Sequence, residues 1–143
     1  MTGPAADSSP EALAARKKPR AVSVPLLLDE DTGDTETFVF SALPRNDYRD
    51  LRLRPECQPT REQRRQFADA QKAAGVEPHR AGQLDNNPDV FPALLFEASC
   101  TSHEWDADGW GVFLDSLNDA EFGALFQGAI AAQATRARVD PEA

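Results

Sequence analysis

The sequence predicts a small α+β domain, mostly helical, in which an N-terminal β-hairpin is followed by four or five short helices. Three observations predict it. Apolar residues alternate with others on both sides of a polar, glycine-containing segment early in the chain, as strands with one buried face require. Later apolar residues recur at i, i+3 and i+4, the period of a helix. Between them stand prolines, glycines and capping residues that divide the chain into short helical pieces.

The elements follow in order. Residues 1–20 carry a single Leu and no aromatic side chain, too little apolar surface to offset ordering, so they read as a flexible basic arm with a helical turn at 11–15. One domain is expected over 21–134, with the hairpin in 21–43 and the helices in 44–134. Val22, Val24, Leu26 and Leu28 alternate in the first strand, and Pro25 assigns that strand to an edge or marks a break in it. A polar turn over 29–37 leads to a second strand, with Phe38 and Phe40 on one face and Val39 on the other.

Pro44 suits a helix start, and Tyr48, Leu51 and Leu53 are the inward candidates of that helix before Pro55 and Pro59 break it. Thr60 with Gln63 forms a capping box for a helix to Ala74, whose thin apolar content predicts an exposed face, and Gly75 ends it. A polar loop follows over 76–87. Asn87 and Pro88 then introduce a turn and a helix from about Pro92, lined by Leu94, Leu95 and Ala98 with Phe91 or Phe96 at the margin. Asp106 caps a helix over 107–117 bearing Trp110, Phe113, Leu114 and Leu117. Asn118 and Glu121 cap the last helix, whose stripe is Phe122, Leu125, Phe126, Ala129 and Ile130. Residues 135–143 read as a flexible C-terminal tail.

The net charge of −9 is concentrated in residues 84–143, which hold eleven acidic and two basic side chains. Such a surface repels phosphate backbones, so no nucleic-acid partner is expected. Arg61, Arg64 and Arg65 form a local basic stripe, read as a solvated face pairing with Glu62 and Asp69. No apolar run reaches the roughly 18 residues of a membrane span, and no secretory signal is expected. Cys57 and Cys100 are expected as reduced thiols in a cytoplasmic protein.

Catalytic and metal chemistry find little support in these residues. Zinc would need Cys57, His79, Cys100 and His103 to converge, yet their spacing is not that of two close pairs. A buried Cys100 and exposed histidines are expected instead. Residues 104–115 resemble a calcium loop but depart from it at Glu104, Gly111 and Asp115, so the acids there read as helix caps. No serine sits in a glycine-flanked elbow, no phosphate-binding loop is present, and a nucleophile with its base is hard to assemble. No enzyme activity, catalytic residue, metal or cofactor is therefore expected. The expected role is to bind another protein.

The order of segments carries a resemblance. An extended stretch ends in Phe38-Val-Phe-Ser-Ala-Leu-Pro44, and a short helix with Tyr48 and Leu51 follows. Then come Asn87-Pro-Asp-Val-Phe-Pro-Ala-Leu-Leu95 with Cys100, a Trp110-bearing helix, and Leu117-Asn-Asp-Ala-Glu-Phe-Gly-Ala-Leu125. Over about residues 21–134 this resembles the tail assembly chaperones of long-tailed bacteriophages, particularly those of actinobacterial hosts. The resemblance implies a non-virion assembly factor in the host bacterial cytoplasm. It would bind the phage tape measure protein, keep it soluble and recruit tail tube protein subunits. In many such phages a frameshifted longer form of the chaperone is a further partner. The alternative from a different class is a virion structural or connector protein.

A client of this kind calls for an apolar groove that accepts amphipathic helices and for surface charge that keeps the complex dispersed. The candidate partner-binding residues are Phe91, Phe96, Trp105, Trp110, Phe122 and Phe126. Phe96 and Trp105 fall off the main stripes and are the ones the pattern leaves for a partner. The other four serve a core first.

Overall fold

The computed structural model describes residues 8–18 and 20–134. Within them the hairpin is followed by five α-helices, an α+β domain dominated by helix. The expected tail over 135–143 and the first residues of the arm lie outside the described residues. A short helix α1 spans Pro10–Arg16, with Ser9 Oγ accepting the Ala12 N–H at 3.2 Å, and buries no side chain.

Strand β1 is Ala21–Asp29 and strand β2 is Asp34–Ser41, paired antiparallel with Val22 opposite Phe40 and Val24 opposite Phe38. The turn is shorter than the sequence suggests, because Gly33 takes φ 75° and closes it. Val24, Leu26, Phe38 and Phe40 share the buried face. Leu28 does not join them: the register shifts between Leu27 and Asp29, and Leu28 is 50% exposed.

Pro25 causes no break. The outer edge of β2 is taken by residues 100–102, with Thr101 N–H donating to Val39 O (2.9 Å) and Val39 N–H donating to Ser102 Oγ (2.9 Å). Backbone groups alternate in direction along a strand, so those of Val39 and Thr37 point away from β1. Their partners Ser23 and Pro25 then point away from β2, and no ladder bond is lost at the proline.

Helix α2, Arg45–Leu53, turns Leu51 inward and half-buries Tyr48. Leu53, expected inward, is 65% exposed because the helix stops there and Pro55 redirects the chain. Helix α3, Arg61–Ala73, carries the capping box between Thr60 and Gln63 and buries nothing, as its thin apolar content predicts. Gly75, at φ 81°, ends it.

Helix α4 is Phe91–Ser99, α5 is Ala107–Asp115 and α6 is Asp119–Ala134. In α4 the buried side is Phe91, Pro92, Leu95, Phe96 and Ser99, so Phe91 and Phe96 lie at its centre and not its margin, and Ala98 is exposed. The wide buried side reflects the position of α4, which touches β2, α2, α5 and α6 at once. Asp106 caps α5 by accepting the Gly109 N–H at 2.8 Å. The reciprocal cap of α6 is complete: Asn118 Oδ1 accepts the Glu121 N–H (2.8 Å) and Glu121 accepts the Asn118 N–H (2.9 Å).

The core lies between the hairpin and the last three helices. Phe38, Phe40, Leu95, Phe96, Trp110 and Leu125 are almost wholly enclosed there. Gly128 brings α6 close to β1, with Val24 filling the space a β-carbon would take.

Candidate partner-binding groove

Helix α6 has two apolar sides with different jobs. Leu125, Gly128, Ala129 and Ala132 are buried, small enough to let the helix settle on the hairpin. Phe122, Phe126 and Ile130, at i, i+4 and i+8, remain half-buried and line an open cleft. The single stripe read from the sequence is thus divided between core and cleft.

The cleft has a volume of about 450 Å³. Its floor is the stacked pair Phe122 and Phe126, centroids 5.7 Å apart, with Phe91 edge-on to Phe126 at 6.4 Å. Tyr48 of α2 forms one wall, and residues 84–88 with Pro92 form the other. Asparagines hold that second wall. Asn87 N–H donates to Cys57 O at 2.7 Å, and Asn87 Oδ1 accepts the Asp89 N–H (2.9 Å) and Gln63 Nε2 (2.8 Å). Asn86 Nδ2 donates to Arg52 O at 2.9 Å. These bonds tie the segment 86–89 to α2, to the Pro55–Cys57 turn and to α3, and satisfy the carbonyl of the buried Cys57. The Arg52 guanidinium is spent locally, 5.6 Å over the Tyr48 ring and within reach of Asn86 Oδ1 at 3.5 Å.

Pro88, Pro92 and Phe122 also border a second depression of about 490 Å³. Leu114 of α5 forms its far wall, and Asp89, Asp115 and Asp119 stand around it. The two depressions adjoin at Pro88, Pro92 and Phe122, the first lined by aromatic side chains and the second bordered by three aspartates.

Of the six candidates read from the sequence, the structure brings Phe91, Phe122 and Phe126 together at this groove. Phe96 and Trp110 have no exposed surface, which corrects their assignment as partner contacts. They are the centre of the aromatic core, 5.0 Å apart between ring centroids. Trp105 lies elsewhere, half-buried 4.7 Å from Trp110, beside a shallow hollow that Glu97 and Asp106 also border. Tyr48 and Ile130 were legible as apolar positions but not as groove walls. Pro88 and Pro92 carried no sequence signal for that role.

The fold also makes a contact that sequence reasoning missed. His103 Nε2 lies 2.7 Å from Glu36 Oε2, and Ser102 Oγ lies 2.7 Å from His103 Nδ1. With Nε2–H donating to the carboxylate, a neutral ring leaves Nδ1 to accept the serine hydroxyl. A serine with a base within reach is therefore assembled after all. Ser102 Oγ is at the same time the acceptor for Val39 N–H, and the His103 ring stacks on Phe38 at 4.2 Å. Together these contacts strap residues 100–103 to β2. His103 is consequently half-buried, against the expectation of an exposed ring, while His79 is exposed.

Cys57 and Cys100 are both buried, free thiols. Burial, aided by Glu56 and opposed by Arg54, pushes the Cys57 thiol up. Among the described residues no three His, Cys, Asp or Glu side chains are placed to share a metal ion. Nor is any described helix long and apolar enough to cross a membrane.

Comparisons with family models, curated proteins and solved structures gave no match.

Proposed function

We propose that this chain is a tail assembly chaperone of a long-tailed phage. It binds the tape measure protein along the groove of α2, α4 and α6, keeps it soluble, and brings tail tube subunits to it in the host cytoplasm without remaining in the virion. One observation supports this reading above the others. The segments that carry the resemblance, 87–95 and 117–125, are the ones that contribute Phe91, Pro92 and Phe122 to an open apolar groove. A cleft with half-buried Phe122 and Phe126 along its lining, on an otherwise charged domain, suits an amphipathic helix. No bond-making step is assigned to the chain; it works by contact.

Co-expression with the tape measure protein of the same genome tests the reading. The tape measure protein is expected in the soluble fraction only with the intact chaperone, and to co-purify with it. Ile130→Glu, at the half-buried groove wall, is expected to leave the helical circular dichroism unchanged and to abolish co-purification. A tape measure protein equally soluble without the chain, or the chain found by mass spectrometry in purified virions, refutes the proposal.

A further inference from the structure

We infer that the groove selects its occupant by charge: it takes an amphipathic helix whose apolar stripe is flanked by lysine or arginine. The inference rests on the binding role proposed above and concerns the chemistry of the bound segment. Phe91, Phe122 and Phe126 line the first depression, and Phe122 also borders the second, adjoining one. Around these stand four carboxylates, Asp85 beside the first depression and Asp89, Asp115 and Asp119 beside the second. Among the residues lining the two depressions the one guanidinium is that of Arg52, beside the first, and it is engaged with Tyr48 and Asn86. Asp89 already accepts a hydrogen bond from Gln63 Nε2 at 3.0 Å, and Arg64 borders a neighbouring hollow with Asp85, so the negative charge offered to an incoming helix lies mainly at Asp115 and Asp119. Charges at the edge of an interface set which partner is accepted, and like charges across it are penalised.

The occupant follows from that complementarity. Apolar residues at i, i+3, i+4 and i+7 would cover the floor, and basic residues beside the stripe would reach the aspartates. A helix with the same stripe flanked by glutamate would bring like charge against the rim and be rejected.

Two synthetic 18-residue helical peptides test this on the full chain by fluorescence anisotropy. They share one leucine stripe and differ only in lysine or glutamate flanks. The lysine peptide is expected to bind about tenfold or more tightly than the glutamate peptide at low salt, with the gap closing as salt rises. The exposed double variant Asp115→Asn/Asp119→Asn is expected to weaken the lysine peptide severalfold and leave the glutamate peptide unchanged or improved. Equal binding of both peptides, binding of neither, or indifference to the double variant overturns the inference. So does a chain that elutes as a dimer separated by Ile130→Glu, which assigns the groove to a second copy. A peptide affinity raised by removing residues 135–143 assigns it to the chain's own C-terminal segment and overturns it too. The two readings fail separately. Lysine-peptide selectivity without capture of the tape measure protein sinks the chaperone role alone, and capture that ignores the aspartate variants sinks the charge selection alone.

Discussion

At Gly128, helix α6 crosses β1 with the Val24 side chain in the place a β-carbon would take. A β-carbon built there would stand 2.3 Å from Val24 Cγ2 and 3.7 Å from the Phe40 ring. Two effects of Gly128→Ala oppose each other. Alanine favours the helix by about 1 kcal/mol. Overpacking a filled site costs about 1–3 kcal/mol, and the close contact here puts the clash ahead. A net loss of roughly 1 kcal/mol in chemical denaturation is the expected result. In a Val24→Ala background the clash is gone, so the same substitution should turn neutral or stabilising. The double-mutant cycle reads that change of sign. The sequence displayed a glycine within a helical stripe but not its reason, because the atom that fills its place comes from a strand about a hundred residues away.

Among the elements, two helices carry nearly the same cap and differ in what the cap secures. Thr60 with Gln63 opens α3, and Asn118 with Glu121 opens α6. Removing either capping side chain costs about 1 kcal/mol of local helix stability. Helix α6 is part of the core, so Asn118→Ala is expected to lower the global unfolding free energy by about that amount. Helix α3 buries no side chain, so Thr60→Ala should leave global unfolding almost unchanged and speed amide exchange within residues 61–73. Hydrogen exchange followed by mass spectrometry separates the two cases. Caps were the most legible feature of the chain, because all their partners lie within three residues. Buried sides were less so. Phe96 looked spare on a helical projection, yet it is enclosed by Phe40, Trp110 and Phe126, which come from other elements. The Ser102–His103–Glu36 strap joins positions 67 residues apart and left no local trace.

For the whole molecule, the balance of −9 is not neutralised inside the fold. Among the described residues the ion pairs between permanently charged side chains are Arg49 with Asp50 and Arg65 with Glu62, all well exposed. Exposed pairs contribute little, so self-repulsion among the carboxylates is the larger electrostatic effect. Screening should then stabilise the fold: the thermal midpoint is expected to rise between about 0.02 M and 0.2 M salt, as scanning calorimetry can record. A midpoint that falls would mean that attraction dominates. At this scale the sequence foretold the acidic surface and the order of hairpin and helices. It did not foretell the groove, whose walls come from α2, the 84–88 loop, α4, α5 and α6.

The outward-facing backbone of Pro25 has its own consequence for many copies held together. A hairpin edge normally invites a neighbour, since free amide protons in a row can template another chain. Here one of those protons is missing in mid-strand, which disfavours a further strand along β1. Molecules gathered at high density can then stand side by side without knitting into fibrils.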